Sequence, residues 1–451
     1  KNRIEFMLSL IAIVKLGAIF VPINTELKGV FLQHQLRNAE PRVLFLDHDL
    51  RDAFDNVQGG HDNLTTTIYV AGDVPAERPP VFANTTSMTF ETFSDLEGNA
   101  GDVLVTPQPE DIACIMYTSG TTGPAKGVLM PHAHCYLFGE GTAREMAMTE
   151  ADCQYVCMPL FHGMGLLMQV ISSLITGSKV FCVERFSPNR WLDEVRACGA
   201  TVTNALGVIP EMLFRTPETE YDGDNKLRIV LAVPIAAEWA EAMEQRFGFR
   251  FMQAYGGTEL CIVSFTTLDD PLLPGMAGHV RDDFFEIRIA DADTDTPLPQ
   301  GEIGEIIVRP KVPFCFSQGY FRMPEKTTEA WRNLWYHSGD AGYFDEQGRL
   351  YFADRIKDRI RRRGENISSY EIEQVLNDHT DIIESAVVGV RVDGAGGEDE
   401  VKAYIVTDGG NEIDNISLLD YCVEHIPRFA VPRYIEAVIA IPKSATGKMQ
   451  K

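Results

Sequence analysis

The strongest constraint on how this chain folds is an alternation. Short apolar runs, "VLFLDH" (43–48), "KVFCVE" (179–184) and "RIVLAVP" (228–234), are too short for helices and are rich in residues that favour strands. Longer stretches with helical spacing of apolar residues lie between them, as in "SPNRWLDEVRACGA" (187–200) and "AAEWAEAMEQRFG" (236–248). Strands alternating with helices predict an α/β fold over residues 1–280. The rhythm changes near residue 284. "FFEIRIADADTDTPLPQGEIGEIIVRP" and "GYFDEQGRLYFADR" read as short strands joined by turns, either a distorted barrel or an added sheet. Charge density then rises in "RIKDRIRRRGENIS" (355–368), followed by a helix, "SYEIEQVLNDH", and two strands, "SAVVGVRV" and "VKAYIV". This predicts a large domain over 1–354 and a small α+β domain over 355–451, with the boundary at 354–358.

The bulk properties remove several classes of function. A net charge of −25 argues against binding to nucleic acid, which rests on basic surface, and against docking on anionic lipid. Nine cysteines without a CxxC pair fit a reducing, cytoplasmic setting better than a disulfide framework or a zinc site. The opening "EFMLSLIAIVKLGAIFVPI" is interrupted by Lys15, Gly17 and Pro22, so it reads as a buried helix running into a buried strand, with no integral membrane segment. A chain that starts inside such an element is expected to lack an N-terminal portion.

Five stretches carry residues suited to chemistry. In "YTSGTTGPAKGV" (117–128), Thr118, Ser119, Gly120, Thr121, Thr122 and Gly123 precede Lys126. Glycines let backbone N–H groups approach an anion, and hydroxyls and a lysine complete a phosphate cradle. The apolar "DIACIMY" before it and "GVLMPHAHCYLFG" after it place the loop between core elements. Gly127 follows the lysine, so the loop is not of the Walker type; a surface linker is the plain alternative. In "AYGGTEL" (254–260), Tyr255 is placed to cover a base, Thr258 to bond a phosphate oxygen and Glu259 to hold Mg²⁺, or the segment is a turn with a solvated glutamate. Asp340 in "WYHSGDAG" is either a ribose acceptor or a β-turn aspartate. His162 in "PLFHGMG" is functional or structural, and Lys448 in "PKSATGKMQK" is functional or a surface lysine.

Taken together and in this order, "YTSGTTGPAKGV", "PLFH", "YGGTE", "YHSGD", "DRIKDRIRRRGENISSYEIE" and "ATGK" resemble the adenylate-forming superfamily: acyl-CoA synthetases, adenylation domains of peptide synthetases and firefly-type luciferases. The resemblance covers essentially the whole chain. Within the superfamily the chain looks most like carnitine/crotonobetaine-type and medium-chain acyl-CoA ligases, by "DRIRRRGENIS" and by "TSGTTGP" followed by a small residue. Two departures stand out. The loop reads Pro124-Ala125-Lys126 where the family has proline directly before the lysine, and the family's Gly-Ala-Pro segment beside adenine is Ala232-Val233-Pro234, a bulkier wall. Both chain ends are also shorter than the family's.

The resemblance implies an enzyme that uses ATP and Mg²⁺ to convert a small-molecule carboxylic acid into an acyl-adenylate, with coenzyme A as the acceptor. It implies that Lys448 bridges the α-phosphate and the carboxylate, and that Glu259 holds the metal. The loop 118–126 would hold the β- and γ-phosphates together with Thr258. Asp340 and Arg355 would fix the ribose, and Tyr255, Gly256, Val233 and Pro234 would line the adenine. Lys357 corresponds to a hinge about which the small domain rotates between the two half-reactions. Gly364 would then line the thiol path, and Arg363 would meet coenzyme A phosphates or remain solvated. The acyl pocket would draw on His162, Gly207, Val208 and Gly257. An adenylation enzyme loading a carrier protein is the alternative. A nucleotide-binding regulator would be expected to lack Lys448 or Glu259, and both are present. A homo-oligomer is compatible with all of this.

Overall fold

The computed structural model describes residues 1–57, 59, 63–70, 89–92, 105–118, 124–206, 208–233, 235, 237–273, 275–355, 360–362, 365–367, 369–392, 398–407 and 413–442. Contacts divide the chain into two compact units. The first comprises Lys1–Pro22, Val103–Met116 and Val128–Lys357; the second comprises Ile23–Asp102, Tyr117–Gly127 and Asp358–Lys451.

The first unit contains two sheets. One is parallel, with spatial order Arg250–Met252, Ile229–Val233, Val202–Leu206, Cys153–Val156 and Lys179–Cys182. Helices Pro188–Cys198, Val208–Phe214 and Ala237–Phe247 lie in its connections. A parallel sheet must be covered on both faces, which is why its central strands read as unbroken apolar runs. One face packs Trp191, Val195, Met243, Phe247 and Phe249. The other packs Leu166 and Met168 with Val202, Ile229, Leu231 and Met252. Lys179–Cys182 is an edge strand and alternates between exposed and half-buried residues, so "KVFCVE" is less buried than its composition predicts.

The second sheet is antiparallel and joins, in order, Ala254–Gly257, Cys261–Phe265, Met276–Val280, Leu350–Arg355, Trp335–Phe344, Gly304–Pro310 and Phe285–Ala290, with Trp331–Arg332 added on Trp335–Phe344. The β-rich region is therefore an added sheet, and it starts thirty residues before 284 because the first hairpin follows directly on the last parallel strand. The opening segment departs from expectation. Ile4–Lys15 is a helix, but only Ser9 and Leu10 on it are buried, and the expected strand is a single bridge between Phe20 and Cys114. No helix among the described residues is long and apolar enough to cross a membrane.

The second unit has a parallel sheet of Val43–Asp47, Thr66–Val70 and Thr89–Thr92. It also has a sheet of Ile382–Arg391, Asp399–Thr407 and Tyr434–Ala437, and the pair Ile360–Arg362 with Glu365–Ile367. Leu36, Leu46 and Tyr69 share one apolar core with Ile372, Leu376, Val387, Val401 and Leu418. The second unit thus joins Ile23–Asp102 and Tyr117–Gly127 to Asp358–Lys451; Leu36, Leu46 and Tyr69 take part in the shared core, and Ala125 is tied in by hydrogen bonds to His34 and Glu371.

Candidate functional site

The parallel sheet has a topological switch point. Cys153–Val156 pairs with Lys179–Cys182 on one side, and the chain then crosses to place Val202–Leu206 on the other. In open α/β sheets, ligands bind beyond the carboxyl ends of the strands where the order reverses. His162 follows Val156, residues 207 and 208 follow Leu206, Val233 ends its strand, and Tyr255–Glu259 follow Met252. The fold thus sends four of the sequence-predicted segments out from the same end of one sheet.

The turn carrying His162 is tight. His162 N donates to Pro159 O at 3.1 Å, and Leu166 N donates to His162 O at 2.9 Å. A Cβ on Gly165 would lie 2.7 Å from Met158 O and closer still to Pro159 O, so only glycine fits. The residues that follow, Met164–Ile171, wind as a π-helix, a form that recurs at functional sites. His162 is half-buried with its ring 4.6 Å from that of Phe161.

Thr258 and Glu259 form the tip of the hairpin between Ala254–Gly257 and Cys261–Phe265, closed by Leu260 N donating to Gly257 O at 3.2 Å. The register shifts between Tyr255 and Gly256, and a Cβ on Gly256 would stand 2.7 Å from Ile262 Cα. Cys261, fully buried, holds φ at +69°, where a side chain is strained. Glu259 is anchored at both ends: Ser317 N donates to its backbone oxygen at 3.1 Å, and the Tyr320 hydroxyl donates to Oε1 at 3.0 Å. Burial, and then the Glu259 charge, push the Tyr320 phenol well up, so it stays a donor. Beneath the turn, His134 is fully buried and stacked on Phe138 at 5.2 Å. Burial lowers its pKa to about 4, against the opposing influence of the Phe316 backbone, Glu259 and the Thr258 backbone. It is a neutral imidazole at physiological pH.

Asp340 is held by a second phenol. Tyr255 donates its hydroxyl to Asp340 Oδ2 at 2.9 Å, and burial, then the Asp340 charge, raise the Tyr255 pKa. Asp340 N donates to Ser338 Oγ at 3.1 Å, Ser338 Oγ donates to Ile306 O at 2.6 Å, and Gly339 N donates to Glu305 Oε1 at 3.0 Å. Glu305 Oε2 lies 2.8 Å from His337 Nδ1. Asp340 and Arg355 are register partners on adjacent strands, so the two residues expected at the ribose are brought side by side. Tyr255 has its ring 6.3 Å from Phe352 and its hydroxyl committed to Asp340.

Thr118 and Lys126 belong to the second unit; Thr118 ends the strand Ile112–Thr118 and Lys126 begins the strand Lys126–Pro131, and the two strands pair. Ala125 is gripped on both sides: His34 Nε2 lies 2.7 Å from its carbonyl oxygen, and its N–H donates to Glu371 Oε1 at 3.2 Å. Burial raises the Glu371 carboxyl to about 7, opposed by that N–H. Ser119, Gly120, Thr121, Thr122, Gly123, Gly207, Pro234, Lys357, Arg363, Gly364 and Lys448 lie outside the described residues, as do the side chains of Val208 and Arg355. The structure adds Tyr320, Ser338, Glu305, His134 and Glu371 to the residues read from sequence. Of these, Ser338 and Glu371 stood within motifs singled out in the sequence, "YHSGD" and "DRIKDRIRRRGENISSYEIE".

Among the described residues no group of three or more His, Cys, Asp or Glu side chains is arranged to hold a metal ion. A hard carboxylate oxygen at Glu259 nevertheless suits magnesium, which takes one or two carboxylates and completes its shell with phosphates and water.

A family model described as AMP-binding enzyme matches residues 1–321, and one described as AMP-binding enzyme C-terminal domain matches residues 371–448. The crotonobetaine/carnitine–CoA ligase of Salmonella typhi is 30% identical over 458 aligned positions, covering 100% of this chain and 86% of that protein. Among solved structures, o-succinylbenzoate CoA synthetase from Bacillus subtilis, bound with a product analogue, is 25% identical with a TM-score of 0.81 over 100% of this chain and 86% of that one. The amide bond synthetase McbA from Marinactinospora thermotolerans is 25% identical with a TM-score of 0.80, over 98% of this chain and 85% of that one. ATP-bound MatB from Rhodopseudomonas palustris is 26% identical with a TM-score of 0.67, over 99% and 85%.

Proposed function

The chain belongs to the AMP-binding, adenylate-forming enzymes, and from that premise we propose that it is an ATP-dependent acyl-CoA ligase acting on a small carboxylic acid. Two half-reactions make up this activity. An oxygen of the acid's carboxylate bonds to the α-phosphorus of ATP as the bond to pyrophosphate breaks. The sulfur of coenzyme A, its thiol proton lost to solvent, then bonds to the acyl carbon, and AMP leaves with the electron pair of the broken C–O bond. The observation that carries the reading is the pair of tyrosine-held carboxylates, Glu259 and Asp340, on one unit whose parallel sheet opens at its switch point beside them.

The residues divide the work by their chemistry. Asp340, with Arg355 across the strand pair, accepts from the ribose hydroxyls, and the Tyr255 hydroxyl keeps the carboxylate in one rotamer. Gly256 and Val233 border the adenine. Thr258 and Glu259 meet the phosphates, with Thr118, Lys126 and the loop between them. Mg²⁺ bound at Glu259 supplies charge neutralisation for the polyphosphate. Lys448 brings a cation to the α-phosphate during the first half-reaction; a rotation about Lys357, which parts Leu376 and Val401 from the apolar core they share with Leu36 and Tyr69, exchanges it for the Gly364 and Arg363 loop in the second. His162, residues 207 and 208 and Gly257 border the acyl group.

The acid is proposed to be a short one, uncharged or with one charged substituent at its far end, by likeness to the crotonobetaine/carnitine–CoA ligase. The acceptor has a specific rival, because an amide bond synthetase shares the fold at the same level of identity. Pyrophosphate release measured over a panel of carboxylic acids, with and without coenzyme A, tests the whole reading. Acid-dependent pyrophosphate release together with a thioester product is expected. Pyrophosphate release without a thioester would move the acceptor to an amine or a carrier protein, and no release with any acid would remove the ligase reading.

A further inference from the structure

The phenol that grips Glu259 is more strongly fixed than a core tyrosine needs to be. Tyr320 is 5% exposed, and its hydroxyl donates to Glu259 Oε1 at 3.0 Å. Its backbone is tied independently of that bond. Tyr320 N donates to Thr327 Oγ1 at 2.9 Å, and Tyr320 bridges to Val128. Gly319, with φ at +96°, lies so close to Thr327 that a Cβ would be 2.8 Å from its Oγ1. Gln318 N donates to Leu129 O and Leu129 N to Gly319 O, each at 2.9 Å, while Ser317 N reaches back to Glu259 O at 3.1 Å. The segment 317–320 thus holds both the backbone and the carboxylate of Glu259. The Tyr336 hydroxyl stands 3.5 Å behind that of Tyr320.

We infer that Tyr320 is a positioning residue that fixes the Glu259 carboxylate in one rotamer and so sets how tightly the nucleotide site takes a divalent cation. The inference rests on the nucleotide reading given above. Two effects of the phenol oppose each other. Donating to Oε1 draws charge from the carboxylate and weakens it as a metal ligand. Holding the side chain in place removes the rotamer freedom that a free glutamate would lose on binding metal. Orientation dominates, because removing an outer partner of a metal ligand typically weakens metal binding by about 10- to 100-fold. A tyrosine present only to fill the core would be replaced by phenylalanine without effect on metal binding.

Tyr320→Phe keeps the ring and removes only the hydroxyl. The measurement is calorimetric binding of the β,γ-imido analogue of ATP, in EDTA and over a series of Mg²⁺ concentrations, for wild type and variant. The Mg²⁺ concentration for half-maximal enhancement is expected to rise about ten-fold in the variant, with analogue affinity in EDTA unchanged. Thr327→Val, which loosens the Tyr320 backbone and leaves the phenol in place, is expected to give a smaller rise in the same direction. An unchanged Mg²⁺ titration in the variants overturns the inference alone. Failure of the wild type to bind the analogue under either condition overturns the nucleotide reading with it.

Discussion

Two phenols and two carboxylates dominate the site at the scale of single residues, and each carboxylate can be tested through its own oxygen. Glu259→Gln keeps the shape and the acceptor for Tyr320 but removes the negative charge. Magnesium prefers hard anionic oxygen, so the Mg²⁺ requirement for acid-dependent pyrophosphate release is expected to rise about ten-fold or more and the rate to fall. A normal Mg²⁺ titration and rate would take Glu259 out of the metal site. Both carboxylates stood out in the sequence because glycines stand within two positions before them, in "YGGTE" and "HSGD", and glycine near a side chain marks close approach or an unusual backbone angle. Tyr320 was not legible. It stands 61 positions from Glu259, and the pair meets where 317–320 is hydrogen-bonded to Leu129 in the strand Lys126–Pro131. His134 was not legible either, since nothing in "PHAHCYLFG" says which histidine turns inward.

At the scale of elements, two hairpins of the antiparallel sheet make opposite demands on their backbones. The Ala254–Gly257 hairpin needs its glycine. A Cβ at position 256 would press on backbone at Cys261 and Ile262, which cannot swing aside as a side chain can. Gly256→Ala is expected to destabilise the protein by about 1–3 kcal/mol, read as a lower denaturant midpoint at unchanged slope. An unchanged midpoint would mean the bulge relaxes freely. The hairpin joining Trp331–Arg332 to Trp335–Phe344 has the reverse problem. Its two loop residues, Asn333 and Leu334, hold φ at +49° and +65°, the mirror-image turn that suits the twist of paired strands. Asparagine tolerates that conformation; leucine does not, and Leu334 is 81% exposed, so it gains nothing from the core in return. Relief of about 1–2 kcal/mol of left-handed strain, less the roughly 0.5–1 kcal/mol that glycine costs through the unfolded chain, leaves Leu334→Gly stabilising by up to about 1.5 kcal/mol. A lower denaturant midpoint in that variant would show that the turn is not strained.

Across the whole molecule, the parallel sheet was legible because strands covered on both faces must be apolar throughout, and such runs survive in sequence as "RIVLAVP". The opening helix was misread because composition says what a residue would gain from burial, and not whether another element covers it. The grouping of 23–102 and 117–127 with 358–451 left no trace in sequence, since a core shared by Leu36, Tyr69, Leu376 and Val401 is set by packing between distant segments. The order of motifs is the basis for the proposed role of Lys448, and Lys448→Ala makes the sharpest test of it. As the carboxylate attacks, negative charge gathers on the oxygens of the α-phosphate, and a cation placed there in advance lowers the barrier. Its loss should cost ~3–4 kcal/mol, about 10²- to 10³-fold in pyrophosphate release. In the second half-reaction the phosphorus is no longer attacked. The thiol adds at the acyl carbon and AMP departs as a stable anion, so a cation at the former site of attack has little left to do. Thioester formation from pre-made acyl-adenylate should therefore stay within about two- or three-fold of wild type. A lysine needed only for folding would, when lost, lower both rates together along with the melting temperature. Measuring the two half-reactions separately on folded variant protein decides between them, and parallel loss would remove Lys448 from the α-phosphate.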